Sequence, residues 1–274
     1  MPKTLVVYVF HKENEFVRAF LDHGVFVHPH VDFVVVCNDP SLKINVPPSV
    51  TYMNRENVGW DFGGWSHGLL TEDRFKSYDA FICINSTAMG PFLPRWCTKT
   101  WVEVFTNELR GGVHLVGPTI NCISNPKYAA HVQSYCFAMT RPALDLLIEK
   151  GLFSLTEFAK DKLAAVNSYE IRMSREIIAN GWNIASLVYY PRDIDWTFKN
   201  ASPEVYGRPF LGDIAFPGCF HRQTIHPYEC VFMKANRGQN IDWLRTYRVG
   251  NHVRELVSNE IIQLPIPSID AQSC

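Results

Sequence analysis

The sequence predicts an α/β fold: a single domain with a Rossmann-like, mostly parallel sheet, flanking helices and an irregular C-terminal tail. Three observations predict it. Four segments among the first 85 residues are almost continuously apolar, as strands buried on both faces are. Segments with helical periodicity lie between several of these runs. From residue 191 onward, proline, glycine and aromatic residues are interspersed without a clear period.

The first half of the chain carries the strands that define the sheet. Four apolar runs are predicted as strands: TLVVYVF (4–10), VDFVVVC (31–37), VTYM (50–53) and DAFICI (79–84). Residues 14–24 are predicted as a helix, because their apolar positions share one face and the segment ends at a glycine suited to a C-cap. A second helical stretch precedes the fourth strand.

The second half again alternates between the two element types, less regularly. The predicted helices are TWVEVFTNEL, the segment from Thr140 to just before Gly151, and residues 168–182; the predicted strands are VHLVG, SYCFAM (134–139) and NIASLVYY (183–190). Thr140 can cap its helix, and Pro142 suits the first turn of that helix. We find no linker, repeat or low-complexity tract in the sequence, so we predict one domain covering residues 1–274.

Composition narrows the classes of function. A chain of 274 residues, 47% of them hydrophobic, can bury a sizeable core, and a net charge of -1 offers no basic field for nucleic acid or an anionic membrane. The first apolar run is far shorter than the roughly 20 residues of a membrane span and lacks a cleavage site. We therefore expect a soluble, cytoplasmic protein without nucleic-acid partners or a membrane span.

Cysteine usage supports a reducing compartment. The eight cysteines form neither a CxxC pair nor the dense spacing of a secreted disulfide scaffold. Cys37, Cys83 and Cys136 lie within or at the end of apolar runs, where a thiol behaves as a small buried hydrophobe. We expect these three to be buried and free.

The segment RENVGWDFGGWSHGL (55–69) combines three glycines, one aspartate and two tryptophans between a predicted strand and a predicted helix. Glycine permits close backbone approach and tryptophan offers a large flat face, so the combination is typical of a loop built against a ligand. The alternative is a tight turn whose aromatic residues belong to the core. For Trp60 and Trp65 we favour core packing over stacking on a sugar.

Polar residues follow every predicted strand of the first half. They are His11-Lys12, Asn38-Asp39, Asn54-Arg55-Glu56-Asn57 and Asn85-Ser86-Thr87. Capping alone explains any one of these groups, but ligands of open α/β sheets bind beyond the carboxyl ends of the strands, so together they predict a polar crevice. The sequence contains no GxGxxG after the first strand, no P-loop, no GxSxG and no HExxH, which argues against a dehydrogenase, kinase, hydrolase or zinc peptidase.

Five separated motifs occur in the order of a known family. They are NRENVGWDFGGWSHGL, YDAFICINSTAMGPFLP, HVQSYCFAMTRPALDLL, YEIRMSREIIANGW and IHPYECVFMKANR. From the first strand to about Arg237, the chain resembles the rhamnan-synthesis-F-like glycosyltransferases and their relatives in algae, plants and large viruses, which have the GT-A fold. The resemblance implies a nucleotide-sugar-dependent hexosyl or pentosyl transferase of inverting mechanism, which acts on a glycan acceptor in polysaccharide biosynthesis.

The resemblance also implies that three successive parts of the chain have different roles. Residues 1–95 would bind the nucleotide sugar, residues 96–190 would form the acceptor and catalytic half, and residues 191–274 would form a tail or lid. The implied donor-binding residues are His11, Asn38, Asn57, Gly59, Asp61, Asn85, Ser86 and Arg237. Among them, Gly59 would let backbone approach the nucleotide, and Asp61 would accept hydrogen bonds from ribose or sugar hydroxyls. Rhamnose is the sugar that the family name points to; the donor stays open.

Two residues carry the implied chemistry. Glu170 matches the acidic position that holds the general base in inverting GT-A enzymes; the alternative is a carboxylate that only interacts with the helix dipole. For the leaving diphosphate, the tail offers five cations or histidines: His221, Arg222, His226, Lys234 and Arg237. The resemblance favours His226 as the second catalytic residue, and surface exposure is the alternative interpretation for each of the five.

The end of the fourth strand departs from the family pattern. Many GT-A enzymes carry a DxD motif there that holds a divalent metal, whereas this chain has Asn85-Ser86-Thr87. A requirement for Mn²⁺ or Mg²⁺ therefore stays open, with Asp193 and Asp195 as weak candidate ligands, and we expect substantial activity in EDTA. Three classes remain: a transferase, a non-catalytic nucleotide- or carbohydrate-binding protein, and a scaffold or interaction module. The oligomeric state of the protein also stays open.

Overall fold

The structure is a computed structural model that describes residues 1–121, 130–188, 195–197, 213–220 and 222–247. Its strands are β1 (Thr4–Phe10), β2 (Val31–Cys37), β3 (Val50–Asn54), β4 (Ala80–Asn85), β5 (Ala88–Met89), β6 (Val113–Gly117), β7 (Ile120–Asn121), β8 (His131–Val132), β9 (Cys136–Thr140), β10 (Asn183–Ser186) and β11 (Met233–Lys234). Its α-helices are α1 (Glu15–His23), α2 (Trp60–Leu70), α3 (Trp101–Thr106), α4 (Arg141–Glu149), α5 (Lys162–Ala165), α6 (Arg172–Ala179), α7 (Pro227–Cys230) and α8 (Ile241–Arg245). Thr71–Ser77 forms 3-10 turns, and a π-helical segment, Val166–Ile171, joins α5 to α6.

Seven strands form the central sheet in the order β10-β6-β9-β4-β1-β2-β3. All neighbouring pairs are parallel except those of β9, which runs antiparallel to both β4 and β6. The predicted α/β fold with a mostly parallel sheet is confirmed. Two short antiparallel pairs, β5 with β11 and β7 with β8, lie outside the sheet.

Helices cover both faces of this sheet. Alternate residues of β1 enter two separate cores, because successive side chains of a strand point to opposite faces. Leu5, Val7 and Val9 pack in the core that holds α2, α4 and α6. Val6, Tyr8 and Phe10 pack in the core that holds α1 and α3. The continuous apolar runs seen in the sequence are therefore the mark of strands buried on both sides.

The predicted bounds of the first elements are close to those observed. Strands β1 and β2 coincide with the predicted runs, and α1 starts where Asn14 accepts hydrogen bonds from two backbone N–H groups in its first turn. Two helix predictions are wrong in extent. The helix that contains Glu170 begins earlier, at Lys162, because Asp161 caps it by accepting from Ala164 N at 2.8 Å. Helix α3 ends at Thr106, short of the predicted TWVEVFTNEL.

The strand predicted at residues 183–190 ends at Ser186 in the structure, and residues 189 and 190 lie outside the described ranges. Cys37, Cys83 and Cys136 are buried free thiols, as predicted. Burial raises the pKa of Cys83 and of Cys136 well above the ordinary thiol value. None of the helices in the described ranges has the length and apolar character needed to cross a lipid bilayer.

Helix α2 packs against the sheet through glycine. A Cβ atom at Gly64 would lie 2.6 Å from Val9 Cγ1, and one at Gly68 would lie 2.5 Å from Val7 Cγ1, which are distances that side chains do not tolerate. These glycines are one helical turn apart and face β1, so the helix lies close to the strand. Trp65 is fully buried beside them and donates from Nε1 to the Ile84 carbonyl at 3.1 Å. Close helix packing thus accounts for much of the glycine content of this segment.

Candidate functional site

Three chain segments meet at the carboxyl edge of the sheet. The first is the loop that leads into α2, the second is the turn after β4, and the third is the C-terminal segment around β11. Asp61 of the first accepts a hydrogen bond from Asn85 of the second at 2.8 Å. Ala235 of the third donates from its backbone N–H to the Thr87 carbonyl at 2.8 Å. These contacts build one crevice, which we call the edge crevice, at the position where the sheet topology predicts a ligand.

Asp61 lies in the first turn of α2 and is half-buried. Asn85 donates from Nδ2 to Asp61 Oδ2, and its own Oδ1 accepts from the backbone N–H and the hydroxyl of Thr87 at 3.0 and 2.6 Å, which fixes the orientation of the amide. Burial raises the pKa of Asp61 to about 6; the bond from Asn85 and the charge of Lys234 act against this rise, while the charge of Glu170 adds to it. Near neutral pH, Asp61 is therefore a carboxylate that accepts hydrogen bonds.

Glu170 reaches the same crevice from the opposite side. It lies in the π-helical segment between α5 and α6, a local geometry that is rare and frequently found at functional sites. Glu170 Oε1 accepts from the backbone N–H of Ser134 at 3.0 Å. Because β9 is antiparallel, the residues that enter it lie at the edge where β4 ends, and Asn85 donates from its backbone N–H to the Tyr135 carbonyl at 3.0 Å. The reversed strand therefore positions Glu170 near Asp61.

Charged residues of the C-terminal segment complete the crevice. Lys234, on β11, lies with its Nζ 5.6 Å from the centroid of the Tyr135 ring. Burial lowers the pKa of Lys234, and the charges of Glu170, Asp213 and Asp61 act against this fall. Arg237 Nε pairs with Asp213 Oδ2 at 3.0 Å. The edge crevice thus combines carboxylates and cations from four separate parts of the chain.

Two members of this constellation were missed by the sequence reasoning. Asp213 Oδ1 also accepts from the buried Gln133 at 2.9 Å, so this carboxylate joins the segment before β9 to the C-terminal segment. Ser134 contributes only a backbone N–H. Asp213 lies in none of the five motifs. Ser134 lies in one of them, but it acts through its backbone N–H, and no residue type signals that contact before the antiparallel course of β9 is known.

The predicted donor residues at the ends of β1 and β2 brace the loop before α2. Asn38, buried, donates from Nδ2 to the Trp60 carbonyl at 3.0 Å and accepts on Oδ1 from Arg55 Nη1 at 2.9 Å. Arg55 Nη2 donates to the Val58 carbonyl at 2.7 Å. His11, exposed, has its Nδ1 2.8 Å from the Asn38 carbonyl oxygen. The Asn38 side chain is therefore occupied by protein groups, whereas His11 stands at the surface of the crevice.

Gly59, Trp60 and Asn57 occupy the tip of this loop. Gly59 precedes α2 with φ +75°, in the left-handed region that favours glycine, and a Cβ there would lie 2.7 Å from Phe158 Cδ1. Trp60 has φ +51° and is 38% exposed, so the prediction of core packing is wrong for Trp60 and confirmed for Trp65. The backbone turn at Gly59 directs the Trp60 side chain outward, whereas Trp65 follows inside the helix. Asn57 is exposed.

The other predicted residues make structural contacts or lie outside the described ranges. His226, exposed, accepts on Nδ1 from Tyr228 N at 3.3 Å as the N-cap of α7, and its ring contacts Tyr247 edge-on with centroids 5.0 Å apart. Ser86 donates from its backbone N–H to the Val9 carbonyl at 3.0 Å. Asp195 Oδ1 accepts from Thr197 N at 2.9 Å. Asp193 and His221 lie outside the described residues.

The arrangement of histidine, cysteine, aspartate and glutamate side chains decides whether the protein offers a metal site. Within the described part of the chain, no three histidine, cysteine, aspartate or glutamate side chains converge as the ligands of a metal ion would. The amide oxygen of Asn85 is already engaged by Thr87. The described side chains therefore supply no three-ligand site of this kind, and the candidate ligand Asp193 lies outside them.

A separate cleft of about 560 Å³ lies along the edge strand β10. Its lining includes the exposed Trp96 and the carboxylates Glu108 and Glu229. None of the residues predicted to bind the donor or to catalyse transfer lines this cleft. The edge crevice, which holds Asp61, Asn85 and Glu170, is therefore the candidate site.

Comparison with known protein families identifies one to which the chain is similar. A family model described as rhamnan synthesis protein F matches residues 48–211, more than half of the chain. Asp61, Asn85 and Glu170 lie within the matched range, whereas Lys234 and Arg237 lie beyond it. The comparison with curated proteins found no match. The family's description concerns rhamnan synthesis, which is a glycosyltransferase-like role.

Proposed function

Since the chain belongs to the rhamnan synthesis protein F family, we propose that it transfers a sugar from a nucleotide-sugar donor to a glycan acceptor, with inversion at the anomeric carbon. One observation carries the proposal. Asp61 and Glu170 are more than 100 residues apart within the range matched by the family model, yet both face the edge crevice. They are close enough for the charge of Glu170 to raise the pKa of Asp61. A cleft at this edge of the sheet that holds a carboxyl group of raised pKa, here Asp61, is the default place for a ligand in an α/β fold.

Glu170 serves as the general base in this proposal. The acceptor hydroxyl oxygen attacks the anomeric carbon, the bond from that carbon to the diphosphate breaks, and the hydroxyl proton passes to the Glu170 carboxylate. The Ser134 N–H holds one carboxylate oxygen in place, so the base is oriented before the acceptor arrives. A positioned base of this kind contributes roughly 10²–10⁴-fold to the rate.

Asp61 orients the donor. Its Oδ2 is held by Asn85, and the amide of Asn85 is in turn held by Thr87, so the carboxylate has a fixed direction. An ionised carboxylate accepts hydrogen bonds from the hydroxyls of a ribose or a sugar ring. Asp61→Ala should weaken binding of the nucleotide sugar by roughly 1–3 kcal/mol, which calorimetry measures directly.

Different observations support the proposed sugar and the proposed independence from a metal ion. The family's description favours a rhamnosyl donor. The neutral turn after β4 favours transfer that continues in EDTA, because the Asn85 amide oxygen is engaged by Thr87 and no three metal-ligating side chains of the described residues group together. Turnover measured across a titration with EDTA and then Mn²⁺ decides this point. Complete loss with chelator and recovery with Mn²⁺ would show that a cation held through the donor phosphates is required.

A second candidate function has one observation in its favour. The turn Asn85-Ser86-Thr87 offers no carboxylate to a divalent metal, which fits a protein that binds a nucleotide or a carbohydrate on this fold without turnover. A thermal-shift screen across nucleotides and nucleotide sugars, with and without Mn²⁺, identifies the ligand in either case. Tight binding without transfer or hydrolysis of any nucleotide sugar would select the binding protein.

The decisive test of the transferase compares two glutamates of one helical segment. Glu170→Gln should lower kcat by roughly 10²–10⁴-fold while the affinity for the nucleotide stays near that of the wild type. Glu176→Gln is the matched control, because Glu176 pairs with Arg172 at 2.9 Å and takes no part in the crevice. Full activity of the Glu170→Gln protein would remove the assigned base.

A further inference from the structure

We propose that Lys234 is the cation that binds the diphosphate of the donor and stabilises it as the leaving group. The inference rests on the proposed function and extends it to a residue outside the family match. It identifies the ligand chemistry of this side of the edge crevice as a nucleoside diphosphate.

The position of Lys234 is fixed by strand pairing. Strand β11 runs antiparallel to β5, with Lys234 opposite Ala88 and Met233 opposite Met89. The next residue, Ala235, donates from its backbone N–H to the Thr87 carbonyl at 2.8 Å. Lys234 is therefore held beside the turn that follows β4, where the neutral side chains of Asn85 and Thr87 hold each other and supply no charge.

The Lys234 ammonium lies among the groups that form the reaction centre. Its Nζ is 5.6 Å from the Tyr135 ring, and Tyr135 directly follows Ser134, which holds Glu170. The Tyr135 carbonyl accepts from the backbone N–H of Asn85, the partner of Asp61. Lys234 is also close enough to Glu170 and Asp61 for the charge of each to raise its pKa, so it lies near both the proposed base and the proposed donor-orienting carboxylate.

The ammonium is half-buried and makes no ion pair at contact distance with any carboxylate of the described residues. A cation removed from water without a paired anion is unfavourable, and burial accordingly lowers the pKa of Lys234. A diphosphate bound in the crevice would supply the missing partner. The same contact would raise the pKa of Lys234 back toward its ordinary value.

Two other residues that the sequence predicted to contact the leaving group, Arg237 and His226, already make contacts with protein groups. Arg237 pairs with Asp213 at 3.0 Å, and its guanidinium lies 5.5 Å from the centroid of the Phe216 ring. His226 caps α7 and contacts Tyr228 and Tyr247 through its ring. Both residues were expected to supply positive charge to the leaving group. Of the three residues Lys234, Arg237 and His226, Lys234 is the one without an ion pair or a capping contact among the described residues.

The chemistry of the step balances around Lys234. When the bond between the anomeric carbon and the diphosphate oxygen breaks, that oxygen keeps both bonding electrons and the diphosphate gains one negative charge. The ammonium donates hydrogen bonds to this oxygen and keeps its own proton throughout. The proton of the acceptor hydroxyl passes to Glu170 and then to solvent. A charged donor aimed at developing negative charge is worth roughly 10²–10³-fold in kcat.

The test uses UDP, GDP and dTDP, together with their nucleosides, as probes in calorimetry on the full chain. Lys234→Met should weaken binding of the nucleoside diphosphate that the wild type prefers by roughly 10–100-fold, with unchanged affinity for the matching nucleoside. Lys76→Met is the matched control, because Lys76 pairs with Asp73 at 2.6 Å in the segment after α2 and takes no part in the crevice; it should leave both affinities unchanged. Lys234→Gln, with a polar tip suited to a half-buried position, gives the same readout if the methionine variant does not fold.

Kinetics separate a contact with the leaving group from a structural role. In Lys234→Ala, added ethylamine should restore part of kcat, because a free ammonium can occupy the vacated space. Wild-type transfer together with undiminished diphosphate binding by Lys234→Met and Lys234→Gln would overturn the inference and leave the transferase standing. Diphosphate binding that depends on Lys234, without transfer of any sugar, would instead overturn the transferase alone. Failure of the wild type to bind any of the three diphosphates would overturn both.

Discussion

The edge crevice is built by two regions that differ in how they are held. The N-terminal region, from the loop before α2 to the turn after β4, is fixed by regular elements, glycine packing and hydrogen bonds such as those of Asn38 and Asn85. The C-terminal region, residues 213–220 and 222–247, contributes two-residue β11 and a set of ionic contacts such as Arg237 with Asp213. The first region therefore supplies a rigid frame for the donor, and the second supplies charge. Stability should be most sensitive to changes in the first, and ligand electrostatics to changes in the second.

The largest effect that tests this comparison is expected at Trp65. Trp65→Ala would remove a fully buried indole and its bond to the Ile84 carbonyl, and should lower the free energy of unfolding by about 3–5 kcal/mol. Trp60→Ala, five residues earlier and 38% exposed, should change it by less than about 0.5 kcal/mol. Urea denaturation of both variants gives the values, and equal losses would contradict the assignment of only one of them to the core.

A second test concerns the contact between α2 and β1. Gly64→Ala would place a Cβ 2.6 Å from Val9 Cγ1 and should cost about 1–3 kcal/mol. Val9→Ala makes room for that atom. The loss of unfolding free energy in the double variant should therefore be smaller than the sum of the two single losses, by roughly 0.5–3 kcal/mol. Additive losses in a double-mutant cycle would mean that close packing is not the reason for glycine at position 64.

The third test uses pH to probe Asp61. Because the pKa of Asp61 is raised to about 6, the folded protein keeps a proton that the unfolded chain releases between the ordinary aspartate value and pH 6. The free energy of unfolding should therefore fall as pH rises through that window, by about 3 kcal/mol. In Asp61→Asn, the free energy of unfolding should no longer show this dependence on pH. Parallel pH profiles of the wild type and the variant would show that the Asp61 carboxyl titrates normally.

The smallest effect is expected at His226. His226→Ala removes the side-chain cap of α7 and should cost roughly 0.5–1 kcal/mol, with nucleotide affinity and kcat unchanged. The proposed catalytic role predicts the opposite pattern, a fall in kcat at constant stability. Thermal denaturation and turnover measured on the same preparation distinguish the two, and a selective loss of kcat would return His226 to the catalytic residues.

The same division between regions explains how much could be predicted from the sequence. Strands β1 and β2 were predicted to the residue, because a strand buried on both faces must be apolar throughout. The reversal of β9 could not be predicted, since an apolar run has the same pattern in either direction. Without that reversal, the contact between Ser134 and Glu170 has no sequence signal.

Within the segment 55–69, the environment of individual side chains could not be predicted from the sequence either. Gly59 adopts a positive φ that turns Trp60 outward, so two tryptophans of one segment have opposite environments despite the same residue type. Asp61 was expected in the crevice, and the structure brings it to Asn85. The importance of Lys234 and Asp213 depends on β11 pairing and on a long-range ion pair, which no local pattern encodes.

The π-helical segment Val166–Ile171 makes the position of Glu170 dependent on chain length. Each residue of an α-helix turns the chain by about 100°, so a π turn, which holds one residue more than an α turn, shifts the angular phase of everything on one side of it. Deleting a single residue from this segment would let α5 and α6 merge into one regular helix and would rotate Glu170 relative to the Ser134 N–H. A change of one codon could therefore separate the carboxylate from the crevice while the hydrophobic faces of α6 and the sheet stay intact.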